Sequence, residues 1–469
     1  MKAREIYAGH DGQMEPDPPR KSKEEHKRRP RKRNRAPKFL LVVILLVSIF
    51  GVLHLLSQRK ALVAHKGDPL IEERPLEQTA QSNEAASSAQ PARPSGDTSA
   101  AEEVKRLRLK AMGDVMHHQS SLARIQNDEE AAKAEFALIR HYLRDADITM
   151  ANFESAHDPN KKPTGYPRFN APKTVFPALK DAGFTVLSTV NNHALDMELD
   201  AVSNPLRELR AQGITTVGTR EKGEKRYSII EVKGMRIGLV AYTSTFNGIE
   251  ANYKRQTLNE RVNFKDMSLI KKDLEDLKAE GVDFIIGNCH SGIEYASNEM
   301  ESLPKEYKQF CEWGMDVVIG NHPHVVEPFE TYVTADGRET FIIYACGNFI
   351  SSQRYENTKN YSTEHGVIVD MQIEQKGKDH ARILSVDFQP TWVKRTKNDK
   401  GFHYQTLLAE EYLRDPEKRK TLTAQELDRV QKTLDQVYEV LYRKKLPETH
   451  IQVMENPLKK EANRPAKTE

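Results

Sequence analysis

Between residues 104 and 319 the chain repeats one pattern, a short apolar run followed by a stretch of helical spacing and then another apolar run. The apolar runs lie at 104–112, 148–152, 185–189, 214–217, 282–286 and 317–319. The helical stretches lie at 120–143, up to 182, 199–212, 266–280 and 299–313. Parallel strands need long crossover connections, and helices supply them, so this alternation predicts a mostly parallel, helix-covered sheet. Residues 227–232 and 235–242 read as a hairpin. The later runs at 325–333, 340–344, 366–373 and 382–392 have no helix between them and predict antiparallel pairing, as a second sheet or an extension of the first. The expected fold class is α/β, a sandwich of mixed sheets over 104–395. A segment at 396–469 follows, with an amphipathic helix at 424–442 and a tail from Pro457 too polar to order.

The first hundred residues divide differently. Eleven Lys and Arg fall between Arg20 and Lys38, and an almost uninterrupted run of Leu, Val, Ile and Phe follows at 39–56. Eighteen residues at about 1.5 Å each nearly cross a hydrocarbon core, and basic flanks stay on the cytoplasmic side. This predicts a basic cytoplasmic tail (1–38), one N-terminal transmembrane helix (39–56), a disordered stalk (57–103), and everything beyond on the outer face of the membrane. A cleaved signal peptide fits less well: the run is long, begins late, and is followed by Gln58-Arg59-Lys60 rather than by small residues. The 71 basic and 68 acidic residues nearly cancel to +3, which argues against nucleic acid as a partner. Cys289, Cys311 and Cys346 lack metal-site spacing and read as buried small apolar residues.

Unusual polar clusters stand at the carboxyl ends of five predicted strands, where open α/β sheets carry their sites. Asp114 follows the first; Asn152 and Glu154 the second; Asn191, Asn192, His193 and Asp196 the third; His290 and Glu294 the strand at 282–286; Asn321, His322 and His324 the strand at 317–319. Carboxylates, imidazoles and an Asn carbonyl are ligands for borderline divalent metals such as Mn, Fe, Zn or Co, and a bridging carboxylate suits a pair of ions. No thiolate is among them, which argues against a closed structural zinc site. Taken singly, each has an ordinary alternative. Strand-end carboxylates commonly cap helices, and Asn191-Asn192 suits left-handed turns. His322 and His324 share a face only if the chain between them is extended, and Pro323 can part them.

The motifs Gly113-Asp114-Val115-Met116, Asn152-Phe153-Glu154, Asn191-Asn192-His193-Ala194-Leu195-Asp196, His290-Ser291-Gly292-Ile293-Glu294-Tyr295, Gly320-Asn321-His322-Pro323-His324 and Gly347-Asn348-Phe349 stand in a telling order. Over about 105–352 the chain resembles the bacterial capsule-synthesis (CapA-type, poly-gamma-glutamate, PGA_cap) family, a relative of the calcineurin-like metallophosphoesterases. The resemblance implies a metallophosphoesterase-like fold with Asp114, Glu154, Asn192, His290, His322 and His324 as metal ligands, and with Glu154 bridging. It implies His193, with Asp196, as the acid beside a leaving group, and Asn152, Asn191, Glu294 and Asn348 around the substrate. His117 and His118 lie off the Asp-x-His spacing of phosphoesterases, Glu154 replaces the usual Asp, and Ser291 stands where the family often has Trp. The implied function is synthesis or export of an anionic surface polymer, with membrane synthase-complex proteins as partners. An extracytoplasmic metal-dependent phosphoesterase and a non-catalytic polymer-binding module are the alternatives. The basic loop at 156–172, with Lys161, Lys162, Tyr166, Arg168 and Asn170, either presents cations to an anionic ligand or is solvated.

Overall fold

The computed structural model describes residues 103–462. The expected cytoplasmic tail, the transmembrane segment and all but the last residue of the stalk lie outside it. Among the described residues no helix is long and apolar enough to cross a membrane.

Among the described residues fifteen strands form two sheets: β1 (Val104–Val115), β2 (Ile148–Phe153), β3 (Val186–Ser188), β4 (Thr215–Val217), β5 (Ser228–Val232), β6 (Met235–Thr243), β7 (Phe284–His290), β8 (Val317–Asn321), β9 (Phe329–Val333), β10 (Glu339–Ile343), β11 (Asn348–Ile350), β12 (His365–Lys376), β13 (Arg382–Asn398), β14 (Gly401–Leu408) and β15 (Gln452–Val453). The first sheet runs β14-β13-β12-β1-β2-β3-β4, with β11 against β1 and β15 against β13. The second runs β5-β6-β7-β8-β10-β9. β1 to β4 are parallel to one another, as are β6 to β8 and β10. Antiparallel strands flank both groups.

Strand alternation explains the layering. Ile237, Leu239, Phe284, Ile286, Val317 and Ile319 point between the sheets, where they meet Leu107, Leu109, Ile148 and Met150. Their alternates Val240, Ile285 and Val318 point outward, under the helices Met267–Ala279 and Leu303–Trp313. The other face of the first sheet, with Met112, Val115, Ala151 and Phe153, is covered by helices that include Val175–Ala182. The result is an α/β sandwich of two mixed sheets with helices outside.

Four expectations differ from what is observed. The helix expected over 120–143 is three short ones, Gln119–Ile125, Glu129–Ala134 and Arg140–Leu143. Asp128 breaks it by accepting from the Ala131 amide at 2.9 Å, since an Asp carboxylate competes for backbone donors and caps better than it propagates. The four late strands do not form one sheet: β9 and β10 extend the second, β12 and β13 the first. Strand pairing continues past 395, because β13 runs to Asn398 and β14 turns back on it, while Val437 and Tyr438 of the helix Ala424–Leu441 enter the core between the sheets. Pro457–Ala462, expected to lack order, is helical. The three cysteines are free and buried.

Candidate metal centre

The parallel strands β1, β2, β7 and β8 deliver their polar ends to one place. Register shifts in β1 on either side of Asp114 mark a bulge, a device that re-aims a strand side chain. The Asp114 amide is held by Gly347 O at 3.0 Å. Glu154 follows β2, with its amide on Val115 O at 3.0 Å. His290 is the last residue of β7, paired in register with Asn321 of β8, so the strand runs beyond the apolar run at 282–286 and takes in the histidine itself. Asp114, Glu154 and His290 are all completely buried, and each places a ligand atom within 4.8 Å of the others.

Around this trio the expected residues interlock. His324 Nδ1 is 3.1 Å from Asp114 Oδ2, and its Nε2 is 3.7 Å from Glu154 Oε1. His290 Nε2 is 2.9 Å from Asn192 Oδ1 and 3.2 Å from His322 Nδ1. His322 (φ 104°) and His324 (φ 59°) both lie in the left-handed region, so Pro323 does not part them: each ring turns into the site by its own strained backbone.

Asn152 sits beneath. Its amide donates to Asp114 Oδ1 (2.8 Å) and Glu154 Oε2 (3.3 Å) and lies 3.2 Å from His290 Nδ1, while its Oδ1 accepts from Asn191 Nδ2 at 3.2 Å, which fixes the orientation of the group. Asn191 in turn receives the His193 amide at 3.1 Å. His193 Nδ1 is 2.7 Å from Asp196 Oδ2, and the same carboxylate accepts the Phe169 amide at 2.6 Å.

Two predicted residues stand apart. Glu294 is exposed, outside the buried cluster. Asn348 is buried with its amide committed to His324 O (3.3 Å), Gln353 Oε1 (2.9 Å) and Thr363 O (2.9 Å), so it braces the loop that carries His324. In the basic loop, Asn170 is a brace too, bonded to the Asp158, Lys161 and Lys162 carbonyls, and Arg168 pairs with Glu198.

The sequence reading missed Phe169 and left His118 open. Phe169 packs edge-on against His193 (4.6 Å between centroids) and His118 (5.0 Å), forming a wall between them. His118 therefore reaches the site from four residues beyond Asp114, with Nδ1 buried and unpartnered, while His117 turns away to Glu135.

Electrostatics follow from crowding without water. Burial and the neighbouring Asp114 push the Glu154 carboxyl well above its usual range. Burial, with His322 and His324 beside it, holds His290 well below the ordinary imidazole value. Burial and then His324 lower His322 to about 4, and burial with His324 and His193 lowers His118 to about 3. A buried carboxyl raised by burial and by the carboxylate next to it, beside the lowered imidazoles of His290 and His322, belongs to a donor set that a divalent cation satisfies and a proton serves poorly. Among the described residues Glu154 Oε1 is buried with no hydrogen-bond partner, between His290 Nε2 (3.8 Å) and His324 Nε2 (3.7 Å). The group is thus suited to divalent metal binding.

The family model described as bacterial capsule synthesis protein PGA_cap matches residues 108–353. The capsule biosynthesis protein CapA of Bacillus anthracis is 26% identical over 272 residues, which are 55% of this chain and 63% of that one, less than two thirds of its length. The PGA biosynthesis protein CapA of Bacillus subtilis (strain 168) is 24% identical over 278 residues, 58% of this chain and 70% of that one. Among solved structures, the NAD nucleotidase NadN of Haemophilus influenzae overlaps with a TM-score of 0.39 at 13% identity, over 77% of this chain and 59% of that one. The calcineurin-like phosphoesterase YfkN of Bacillus subtilis overlaps with a TM-score of 0.37 at 14% identity, over 72% and 98%. Overlaps this slight carry no functional reading.

Proposed function

The chain belongs to the bacterial capsule synthesis protein PGA_cap family, and from that premise we propose that it serves the synthesis or export of an anionic cell-surface polymer of the poly-gamma-glutamate type, through a site that holds divalent metal. The observation that carries the metal part is the buried Asp114, Glu154 and His290 group with Glu154 Oε1 left unpartnered among imidazoles. Asp114, Glu154, His290 and His324 would hold an ion, with Asn192 and His322 completing the set for a second, whether Mn, Fe, Zn or a similar metal. Such an ion supplies Lewis acidity and a water of lowered pKa. Asn152 donates to both carboxylates and fixes their rotamers. Asp196 fixes His193 by its Nδ1, which leaves the other ring nitrogen to hold or deliver a proton. Phe169 limits water on that side.

On this reading the segment at 39–56 anchors the chain in the membrane with the sandwich outside the cytoplasm, beside the proteins of a membrane synthase complex, and nucleic acid is no partner. The second reading, an extracytoplasmic phosphoesterase, is favoured by the oriented His193–Asp196 pair. A non-catalytic polymer-binding module is the third.

The test uses the full-length chain, in a polymer-producing host lacking its own family member and as detergent-solubilised protein. Polymer restored by the wild type but not by Asp114→Asn, with metal lost from that variant, is the expected result. Equal restoration by Asp114→Asn would leave a polymer-handling module without metal chemistry. No restoration, with turnover of phosphomonoesters or phosphodiesters that His322→Ala abolishes, would establish the phosphoesterase instead.

A further inference from the structure

A second charged site lies away from the metal cluster, where the edge strands β4 and β5 of the two sheets come together. Ser228 of β5 donates to the Thr216 carbonyl of β4 at 2.9 Å, and beside this link is a pocket of about 160 Å3. Its lining includes three arginines, Arg210, Arg220 and Arg226.

The three differ in how their charge is met. Arg210 is satisfied, with a bidentate pair to Glu224 at 2.8 and 3.0 Å and a bond to Thr216 Oγ1 at 3.1 Å. Arg220 is only 4% exposed, yet its guanidinium donates only to neutral oxygens, Asn263 Oδ1 at 2.6 Å and the Asn259 carbonyl; among the described residues no carboxylate is in ion-pair contact with it. Arg226 spends its Nε on both oxygens of Asp273, at 3.1 and 3.0 Å, while Nη1 and Nη2 are buried without a hydrogen-bond partner among the described residues.

A buried guanidinium without a counter-ion, beside another whose terminal nitrogens donate to nothing, is an arrangement that folded proteins ordinarily avoid. Burial and the adjacent Arg226 lower Arg220 to about 10, the direction expected when cations share a dry space with too little negative charge. Among the described residues two carboxylates pair with these arginines, Glu224 with Arg210 and Asp273 with Arg226, and burial raises the second of them. What is missing is an acceptor with negative charge and several oxygens. The planar fork of arginine matches oxyanions bidentately. At about 160 Å3 the pocket has room for a tetrahedral oxyanion with a little water.

We infer that the pocket between β4 and β5 is a binding site for a small oxyanion of phosphate size, drawn by the charge of Arg220 and Arg226. It is separate from the metal centre and does not depend on it. It does adjoin the same framework: Thr219 in its wall is bonded to Thr189 at 2.6 Å, just ahead of the turn that carries Asn191 and His193. Ligand binding would stiffen the base of that turn.

The probe is inorganic phosphate, titrated by calorimetry into chelator-treated full-length chain at constant ionic strength, with Asp114→Asn alongside so that the metal centre takes no part. One saturable equivalent in both proteins is expected, weakened about tenfold or more in Arg226→Gln, with partial recovery in Arg226→Lys. Circular dichroism establishes whether Arg226→Gln folds; if it does not, the guanidinium resonances of Arg226 in the wild type serve, and they should move on addition of phosphate. No saturable binding up to about 10 mM would mean that the pocket holds water only, and would overturn the inference. So would equal affinity in Arg226→Gln, or Arg226 resonances that stay put.

Discussion

His324 Nδ1 and Asp114 Oδ2 lie 3.1 Å apart, joining a bulged strand to a left-handed loop across 210 positions of sequence. Both residues are held by further contacts: the carboxylate also receives the Asn152 amide, and the His324 carbonyl is tied to Asn348. The pair is the seam along which β1 and the loop after β8 are sewn into one site.

If that seam holds a metal, Asp114→Asn removes the charge and one donor while keeping the shape. The full-length variant should bind Mn or Zn at least about a hundredfold more weakly than the wild type, with its far-ultraviolet circular dichroism unchanged. Chelator competition followed by mass-spectrometric metal counting reads the difference. Equal affinity in the two proteins would remove Asp114 from the ligand set.

Asn348 tests the same geometry from behind. It lies in β11, in register with Asp114, and touches none of the three clustered ligands through its amide. Asn348→Ala should lower metal affinity by about ten- to a hundredfold, as outer-shell losses do, by releasing the loop at His324. Asn348→Asp keeps the size but repels the His324, Gln353 and Thr363 oxygens, and should be worse. A metal affinity unchanged in both variants would mean that His322 and His324 hold their strained backbone without it.

How far the sequence foretold this depends on how local each cause is. Alternating apolar runs and helical spacing are local, so the parallel strands and the convergence of Asp114, Glu154, His193, His290 and His324 were legible. The orientation of His322 and His324 was not, because positive φ angles at two histidines are not written in local spacing, and the His324 carbonyl is held by Asn348 from a separate strand. The part of Phe169 was invisible for the same reason: it depends on a bond to Asp196 from a loop that otherwise reads as solvated. β14 and the helix Ala424–Leu441 were set aside as an extension because their apolar residues find their partners only in the folded sheet.

Glu327 gives a pH dependence of known sign. It is completely buried, both of its oxygens lack partners, and burial, with Glu299 next, raises it to about 8, while Lys444 pulls the other way. A carboxyl whose folded value is raised contributes stability that is fully present below about 4.5 and is lost as pH climbs through 8. Buried histidines act on the opposite side. His365 and His403, lowered to about 3 and about 4 by burial, cost stability as pH falls from 6.5. Glu327→Gln mimics the protonated form, so it should be near neutral at about pH 5 and stabilising by a few kcal/mol at about pH 8.5. Urea unfolding at both values decides it: a variant equally affected at the two would show that Glu327 does not titrate in this window.

The tightest constraint on the site is a missing methyl group. A Cβ on Gly113 would stand 1.7 Å from the carbonyl oxygen of Gly347, inside any permitted contact, and the obstacle is backbone rather than a movable side chain. β1 and β11 can approach closely enough for the Asp114 amide to reach Gly347 O only because residue 113 has no side chain. Gly113→Ala must therefore separate the two strands, break that hydrogen bond and withdraw Asp114 from His324. A cost of about 3 kcal/mol or more is expected, seen as a lower urea midpoint at unchanged slope, together with weakened metal binding in the fraction that still folds. If stability fell while metal affinity held, Asp114 would be positioned by its side-chain bonds alone; the 3.0 Å amide contact at its root makes the joint loss the expected result, because the same bond that closes the strands also aims the carboxylate.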